Sequence, residues 1–262
     1  MPGETLVSCL MVTLATPGRL ACARRAITAY CAQSHPRREL VIVVDPASPD
    51  GGEALRDHVA GLGRGDIRIV RGEDGASLGA LRNRARAEAQ GAVHCQWDDD
   101  DLHHPDRVAR QLDALEASGA EGVCLQELMQ FFPAERALYC ANWRATESTA
   151  IPGSLACRAD ARLSYPEAGP DARLREDSDA VGQLLSRGQL HALAGQPHLY
   201  VYVSHGSNSW DMDHHRMLAD RLGISAGLLL RREARLREGL AAFDFGPEPV
   251  TVRGPNGPAF VL

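Results

Sequence analysis

Four consecutive carboxylates, Asp98 to Asp101, stand behind the apolar run Gly91–Trp97 and ahead of Leu102-His103-His104-Pro105. Like charges at that spacing repel, so a fold keeps them together only where solvent or a bound cation relieves the repulsion. The stretch is a candidate metal site, and hard carboxylate oxygens suit a magnesium- or manganese-like ion. A second acidic group lies in Arg173-Leu174-Arg175-Glu176-Asp177-Ser178-Asp179, which opens a helix carrying Val181, Leu184 and Leu185. Three acids in a first turn also serve the helix dipole as plain caps. His205 closes an apolar stretch and is followed by Asn208 and Ser209. A strand-end histidine either ligates a metal, contacts a phosphate or bonds to main chain.

Composition removes several kinds of chemistry. All 28 basic residues are arginine, so there is no Schiff-base or P-loop lysine. A net charge of −6 without a basic arm excludes a nucleic-acid polymer as partner. The seven scattered cysteines form no Cys-x-x-Cys pair and read as small buried hydrophobes of a reducing compartment. Leu6–Ala15 is apolar, but Glu4 stands where a signal peptide needs a basic residue. No apolar run reaches the roughly 20 residues of a membrane span. A soluble, cytoplasmic protein is expected.

The elements that must position these side chains follow from periodicity. Val7–Leu14 is a strand ended by the breaker Thr16-Pro17-Gly18, and Arg19–Gln33 has helical spacing. Glu39–Asp45 is apolar without alternation, the pattern of a strand covered on both faces. A helix over Glu53–Leu62, a strand over Asp66–Val70, a helix over Leu78–Gln90 and the strand Gly91–Trp97 continue the alternation. Such βαβ units build a parallel sheet, and the carboxylates then lie at the carboxyl end of a strand, where open α/β sheets bind ligands. After a helix over Pro105–Ser118, strands are expected at Gly122–Phe132, Ala137–Trp143, Ser154–Arg158 and His198–Val203. One or two helices over Asp213–Phe243 and two short tail strands, Pro249–Arg253 and Ala259–Leu262, close the chain. The pairs His103-His104 and His214-His215 read as surface or loop histidines, and Trp97 and Trp143 as apolar packing.

Together these motifs resemble family two of the glycosyltransferases, from about Val7 to Ser209. Asp98–Asp101 with Pro105 matches the family's Asp-x-Asp segment, and Gly75–Gly79 with Leu81-Arg82-Asn83 matches its Gly-x-x-x-Arg-Asn run. Glu176-Asp177 matches the acidic pair opening a later helix, and His205 with Asn208 and Ser209 the strand-end histidine. The resemblance implies an α/β chain of the A-type glycosyltransferase fold. A single Rossmann-like nucleotide-binding half with a mostly parallel sheet, about 5–118, is joined to an acceptor half, about 119–212. Residues 213–262 form a C-terminal helical extension and tail, through which a homodimer could assemble.

The implied activity is metal-dependent, inverting transfer of a single sugar from a nucleotide-diphosphate sugar, UDP-linked by expectation. The implied roles are Asp100 as principal carboxylate of a Mn²⁺ or Mg²⁺ ion, and Asp98 or Asp99 on the ribose. His205 is a further ligand or phosphate contact. Asp177 is the general base supported by Glu176 and Asp179, and Asp45, Arg82 and Asn83 lie on the nucleotide side. Two departures stand out: Val12-Thr13-Leu14 ends the first strand, and Asp45-Pro46-Ala47-Ser48 lacks one carboxylate often used on the base. The Gln-x-x-Arg-Trp motif of processive synthases is absent. A non-catalytic sugar-nucleotide-binding domain is the alternative, with a sugar nucleotidyltransferase behind it. Gln126–Tyr165 is expected to form much of the acceptor pocket, but no residue names the acceptor or the donor sugar.

Overall fold

A computed structural model describes residues 4–50 and 52–262; residues 1–3, ahead of the expected nucleotide-binding half, and Gly51 lie outside it. The first part alternates β1 (Val7–Thr13), α1 (Pro17–Cys31), β2 (Arg38–Val44), α2 (Glu53–Gly61), β3 (Ile67–Arg71), α3 (Leu78–Glu88) and β4 (Val93–Gln96). β1 pairs in parallel with β2 and β4, and β2 with β3. The unbroken apolar run of β2 is explained by its two covered faces. Leu40, Ile42 and Val44 pack with Ile27 of α1 and Leu55 of α2, whereas Val41 and Val43 pack with Leu81 and Ala85 of α3. Each such side chain removed from water stabilises the fold by roughly 1.5–3 kcal/mol.

Pro17 does not break the chain as the sequence suggested. α1 starts at this proline, with Thr16 extended before it. The first helical turn tolerates proline because its missing N–H has no intrahelical partner to lose. The early start places Arg19 in that turn.

The chain continues through β5 (Leu102–His103), α4 (Arg107–Ser118), β6 (Gly122–Leu125), β7 (Glu127–Phe132), β8 (Ala137–Asn142) and β9 (Ala156–Arg158). Then come α5 (Asp171–Leu174), α6 (Glu176–Leu185), β10 (Leu190–Leu193) and β11 (Tyr200–Val203). It ends with α7 (Met212–Leu222), α8 (Ala226–Arg231), α9 (Glu233–Leu240), β12 (Thr251–Gly254) and β13 (Gly257–Val261). Among the described residues, a seven-stranded sheet has the order β10-β6-β9-β4-β1-β2-β3, and a six-stranded sheet the order β13-β12-β8-β7-β11-β5. In the first sheet β9 runs against β4 and β6, so the sheet is mostly parallel.

The expected strand Gly122–Phe132 divides at Gln126, because β6 belongs to the first sheet and β7 to the second. The Gln126 N–H donates to the Leu193 carbonyl, and its own carbonyl accepts from the Trp143 N–H. The helix expected from Arg173 is two helices meeting at Arg175, and the C-terminal helices number three among the described residues. Residues 213–262 are built into the second sheet. β12 pairs in parallel with β8, and Leu229, Leu236 and Leu240 pack with Met129, Leu138 and Val201. Among the described residues, no helix is long and apolar enough to cross a membrane.

Candidate active site

The four carboxylates follow the end of β4 and turn to different partners. Asp98 accepts from Arg82 Nη2 at 3.0 Å and from Gln96 Nε2. Asp99 accepts from Thr13 Oγ1 at the end of β1 and from Arg19 Nη2 in the first turn of α1, both at 2.5 Å. Asp100 Oδ2 faces Arg19 Nη2 at 3.0 Å and His205 Nε2 at 3.1 Å. Asp101 is buried and accepts from the Tyr200 hydroxyl and, at 2.8 Å, from the Val203 N–H. It ties the cluster to β11, and the following helix is not capped by it.

These surroundings separate the acidities. Burial and then the Asp100 charge push Asp99 up to about 6, against the pull of Arg19 and Thr13. At Asp100 burial also pushes upward, but the His205 hydrogen bond and the Arg19 charge outweigh it and hold this carboxyl below its ordinary value. Burial, with Asp100 and Asp98 nearby, drives Asp101 well upward. Among Asp99, Asp100 and Asp101, Asp100 is the one held below the ordinary carboxyl value, and it lies beside His205.

Arg82 joins this cluster to the second acidic group. Projecting from α3, its guanidinium donates to Asp98 Oδ1 and to Glu176 Oε1, each at 3.0 Å. Asp177, next in the first turn of α6, accepts from the Ser178 N–H at 2.6 Å through Oδ1. Burial is the main reason that its carboxyl rises to about 6; Glu176 adds to the rise and Arg82 opposes it. A β-carbon built on Gly153 would stand 3.3 Å from Asp98 Oδ2 and 3.7 Å from Asp177 Oδ2. The bare glycine thus keeps open the space between the two carboxylates.

That space belongs to a cavity of about 550 Å³, within the range of small-molecule sites. Its wall includes Arg19, Arg82, Asp98 to Asp101, Glu176 and Asp177, with Leu128, Ala141, Trp143 and Ile151 from the expected acceptor stretch. Asp45 and Asn83 stand outside this wall. Asp45 accepts from the Ala47 N–H at 2.8 Å in a tight turn. The Asn83 amide donates to the Tyr165 carbonyl and to Glu167, clipping α3 to that loop.

Behind the cluster lies a support that the sequence reading missed. Arg107 is fully buried and donates to Gln111 Oε1, His103 Nδ1 and the Gln96 carbonyl. With Arg107 donating to Nδ1, His103 carries its proton on Nε2 and donates it to the Asp98 carbonyl at 3.0 Å. Burial and the Arg107 charge push this imidazole well below its ordinary pKa. The expectation of surface histidines therefore fails at His103 and His215, which are 3% and 2% exposed. Trp97 packs as expected, fully buried with its ring centroid 3.9 Å from that of His103. A lone Arg at a helix start carries no mark of burial, so Arg107 and Arg19 had no sequence signal beyond position.

Among the described residues no group of three or more His, Cys, Asp or Glu side chains is arranged to hold a metal ion. Asp100 Oδ2 and His205 Nε2, however, are 3.1 Å apart, the spacing of neighbouring corners in an octahedron with bonds of about 2.1 Å. The other His205 nitrogen, Nδ1, lies 2.9 Å from Ser207 Oγ, which orients the ring. A magnesium-like ion takes few protein ligands besides phosphates and water, so this donor pair fits one.

Residues 12–132 match the family model described as glycosyl transferase family 2. Over that stretch the chain is similar to glycosyl transferase family 2. The match ends before Asp177 and His205, whose link to it rests on the geometry above. Comparison with curated protein sequences finds no match. Solved structures resemble the chain over most of its length. TarS of S. aureus, residues 1–349 in complex with UDP-GlcNAc, has a TM-score of 0.59 at 12% identity, over 92% of this chain and 68% of that one. The same TarS fragment with UDP gives 0.58 at 13%, over 88% and 73%. The mannosyltransferase PcManGT from Pyrobaculum calidifontis, in complex with GDP-Man and Mn²⁺, gives 0.58 at 16%, over 90% and 63%. At such identities the likeness establishes the A-type glycosyltransferase fold.

Proposed function

We propose that this domain transfers a single sugar, with inversion, from a nucleotide-diphosphate sugar, UDP-linked by expectation, to an acceptor hydroxyl. The observation that carries the reading is the meeting of Asp98, Asp100 and Asp177 around one cavity, with His205 on Asp100. Asp100 and His205 would hold a divalent cation, Mn²⁺ or Mg²⁺, which would supply neutralisation of the charge on the departing diphosphate. Asp177 removes the acceptor proton. Its Oδ1 is engaged by the Ser178 N–H, and its Oδ2 borders the space kept open by Gly153. A carboxyl raised to about 6 is closer in basicity to its task than an ordinary aspartate. Glu176, bonded to Arg82, and Asp179 support the base, while Asp98 or Asp99 contacts the ribose. Asp45, Arg82 and Asn83 are assigned to the nucleotide side, Arg82 in the cavity wall and the other two outside it.

Thermal shift with UDP and GDP, with and without Mn²⁺, followed by hydrolysis of the stabilising donor, tests this reading. Metal-dependent stabilisation and slow hydrolysis that Asp177→Asn abolishes are expected. Stabilisation without turnover under any condition would favour the second reading, a sugar-nucleotide-binding domain, which the Asp45 tight turn favours.

A further inference from the structure

Arg19 sits where the reading above puts a cation. Its Nη2 atom is 2.5 Å from Asp99 Oδ1 and 3.0 Å from Asp100 Oδ2. The same Asp100 oxygen is 3.1 Å from His205 Nε2. One carboxylate oxygen is thus shared between a guanidinium and an imidazole. A dication bound to that oxygen would stand within a few ångströms of the guanidinium, and two cations so close in a poorly hydrated wall repel strongly.

The surroundings decide which group yields. The His205 ring is held at Nδ1 by Ser207, and its main-chain N–H donates to Asn208. Asp99 keeps the Thr13 hydroxyl when the guanidinium leaves. Arg19, by contrast, has a long flexible side chain that is 26% exposed, and its buried Nε has no hydrogen-bond partner. It has a donor to offer elsewhere. A diphosphate presents oxygens that suit the planar fork of a guanidinium.

We infer that Arg19 is a resident counter-ion of the Asp99–Asp100 pair, displaced from Asp100 when a divalent cation binds and taken up by phosphate oxygens of the nucleotide. The inference rests on the metal-dependent reading of the same site. Its consequence is reciprocal coupling: nucleotide draws Arg19 off the carboxylates and tightens the metal, and the metal frees Arg19 and tightens the nucleotide. Arg19 is then a positioning residue that keeps the empty cluster neutralised and makes the two ligands arrive together.

Titration of Mn²⁺ into the full chain, read by the EPR signal of the free ion with and without UDP, tests the coupling. Arg19→Met and Arg19→Gln are compared with the wild type. Arg24→Met, an exposed change on the same helix, controls for net charge. Without UDP, both Arg19 variants are expected to bind Mn²⁺ between about 5- and 150-fold more tightly than wild type. The gain in Mn²⁺ affinity that UDP gives the wild type is expected to shrink, and Arg24→Met to behave as wild type. Equal or weaker Mn²⁺ binding by a folded Arg19 variant overturns the inference while leaving the metal reading intact. Absence of Mn²⁺ binding in every protein, with and without UDP, overturns both. If the methionine variant does not fold, the glutamine variant, which keeps a donor for Asp99, gives the same comparison.

Discussion

Gly153 faces Asp177: a β-carbon built on the glycine would lie 3.7 Å from the Asp177 Oδ2 atom. Its backbone is not in the left-handed region that only glycine favours, so a side chain here acts through space alone. Gly153→Ala is expected to be tolerated, whereas the branched side chain of Gly153→Val fills the gap between Asp98 and Asp177. The valine variant should keep its melting temperature within a few degrees and lose about 100-fold or more of donor hydrolysis. Equal activity in both variants would show that nothing reacts between the two carboxylates.

Asp177 combines a cost in stability with a proposed catalytic task. Its folded pKa, about 6, lies above the ordinary value. Its stabilising contribution is therefore complete below about pH 4 and is lost as pH rises through 6. Asp177→Asn should thus be more stable than wild type at pH 7.5, by up to about 3 kcal/mol in urea denaturation, with the difference vanishing near pH 4. Activity has the opposite sign, because a base works ionised. Wild-type turnover should climb through about pH 6, and the asparagine variant should lose about 10²–10⁴-fold.

Arg82 bonds two carboxylates from different elements, Asp98 and Glu176, and is mostly buried. Arg82→Met would leave both without their cation. A loss of about 3–5 kcal/mol of stability is expected, the usual result of stranding buried charge. Arg82→Met combined with Glu176→Gln should recover part of it. A double variant no more stable than the single one would place the damage elsewhere.

The proposed metal pair makes a separate prediction through its support. Ser207→Ala removes the hydroxyl partner of His205 Nδ1 and leaves only the longer contact from the Ser207 N–H at 3.3 Å, so it should weaken Mn²⁺ binding in the presence of UDP by about 10-fold, toward the lower end of such effects. His205→Ala should weaken it more. Calorimetric titration in which the two variants match the wild type would remove His205 from the metal site.

The alternating half was legible because its signals are local. β2 reads as an unbroken apolar run since both faces are covered, and the chain spacing gives the rest. Gln126 marks where legibility ends: nothing in Leu125-Gln126-Glu127 tells that a strand leaves one sheet for another, because the reason is pairing of β6 with β10 and of β7 with β11, both distant in sequence. β5 and β10 were missed for the same cause, being two and four residues long and specified by their neighbours. In the site, a run of four acids announced itself, but its division did not. The acidity of Asp100 depends on Arg19 and His205, the burial of Asp101 on Tyr200 and Val203. A buried arginine such as Arg107 looks in sequence like any solvated one.

The passage of the chain through Gln126 bears on how a substrate could enter. Leu125 and Glu127 are neighbours along the backbone, yet each is locked in a different sheet, and Asp101 adds a second tether by bonding to β11. Two sheets stitched together in this way cannot swing apart about a hinge without breaking main-chain hydrogen bonds on both sides of one residue. Access to the cavity must come from its rim. The short α5, with its exposed Leu174, is the rim segment expected to lift. Hydrogen exchange should accordingly be fast at this rim and slow at the junction, making admission of ligand a matter of loop motion over a fixed floor.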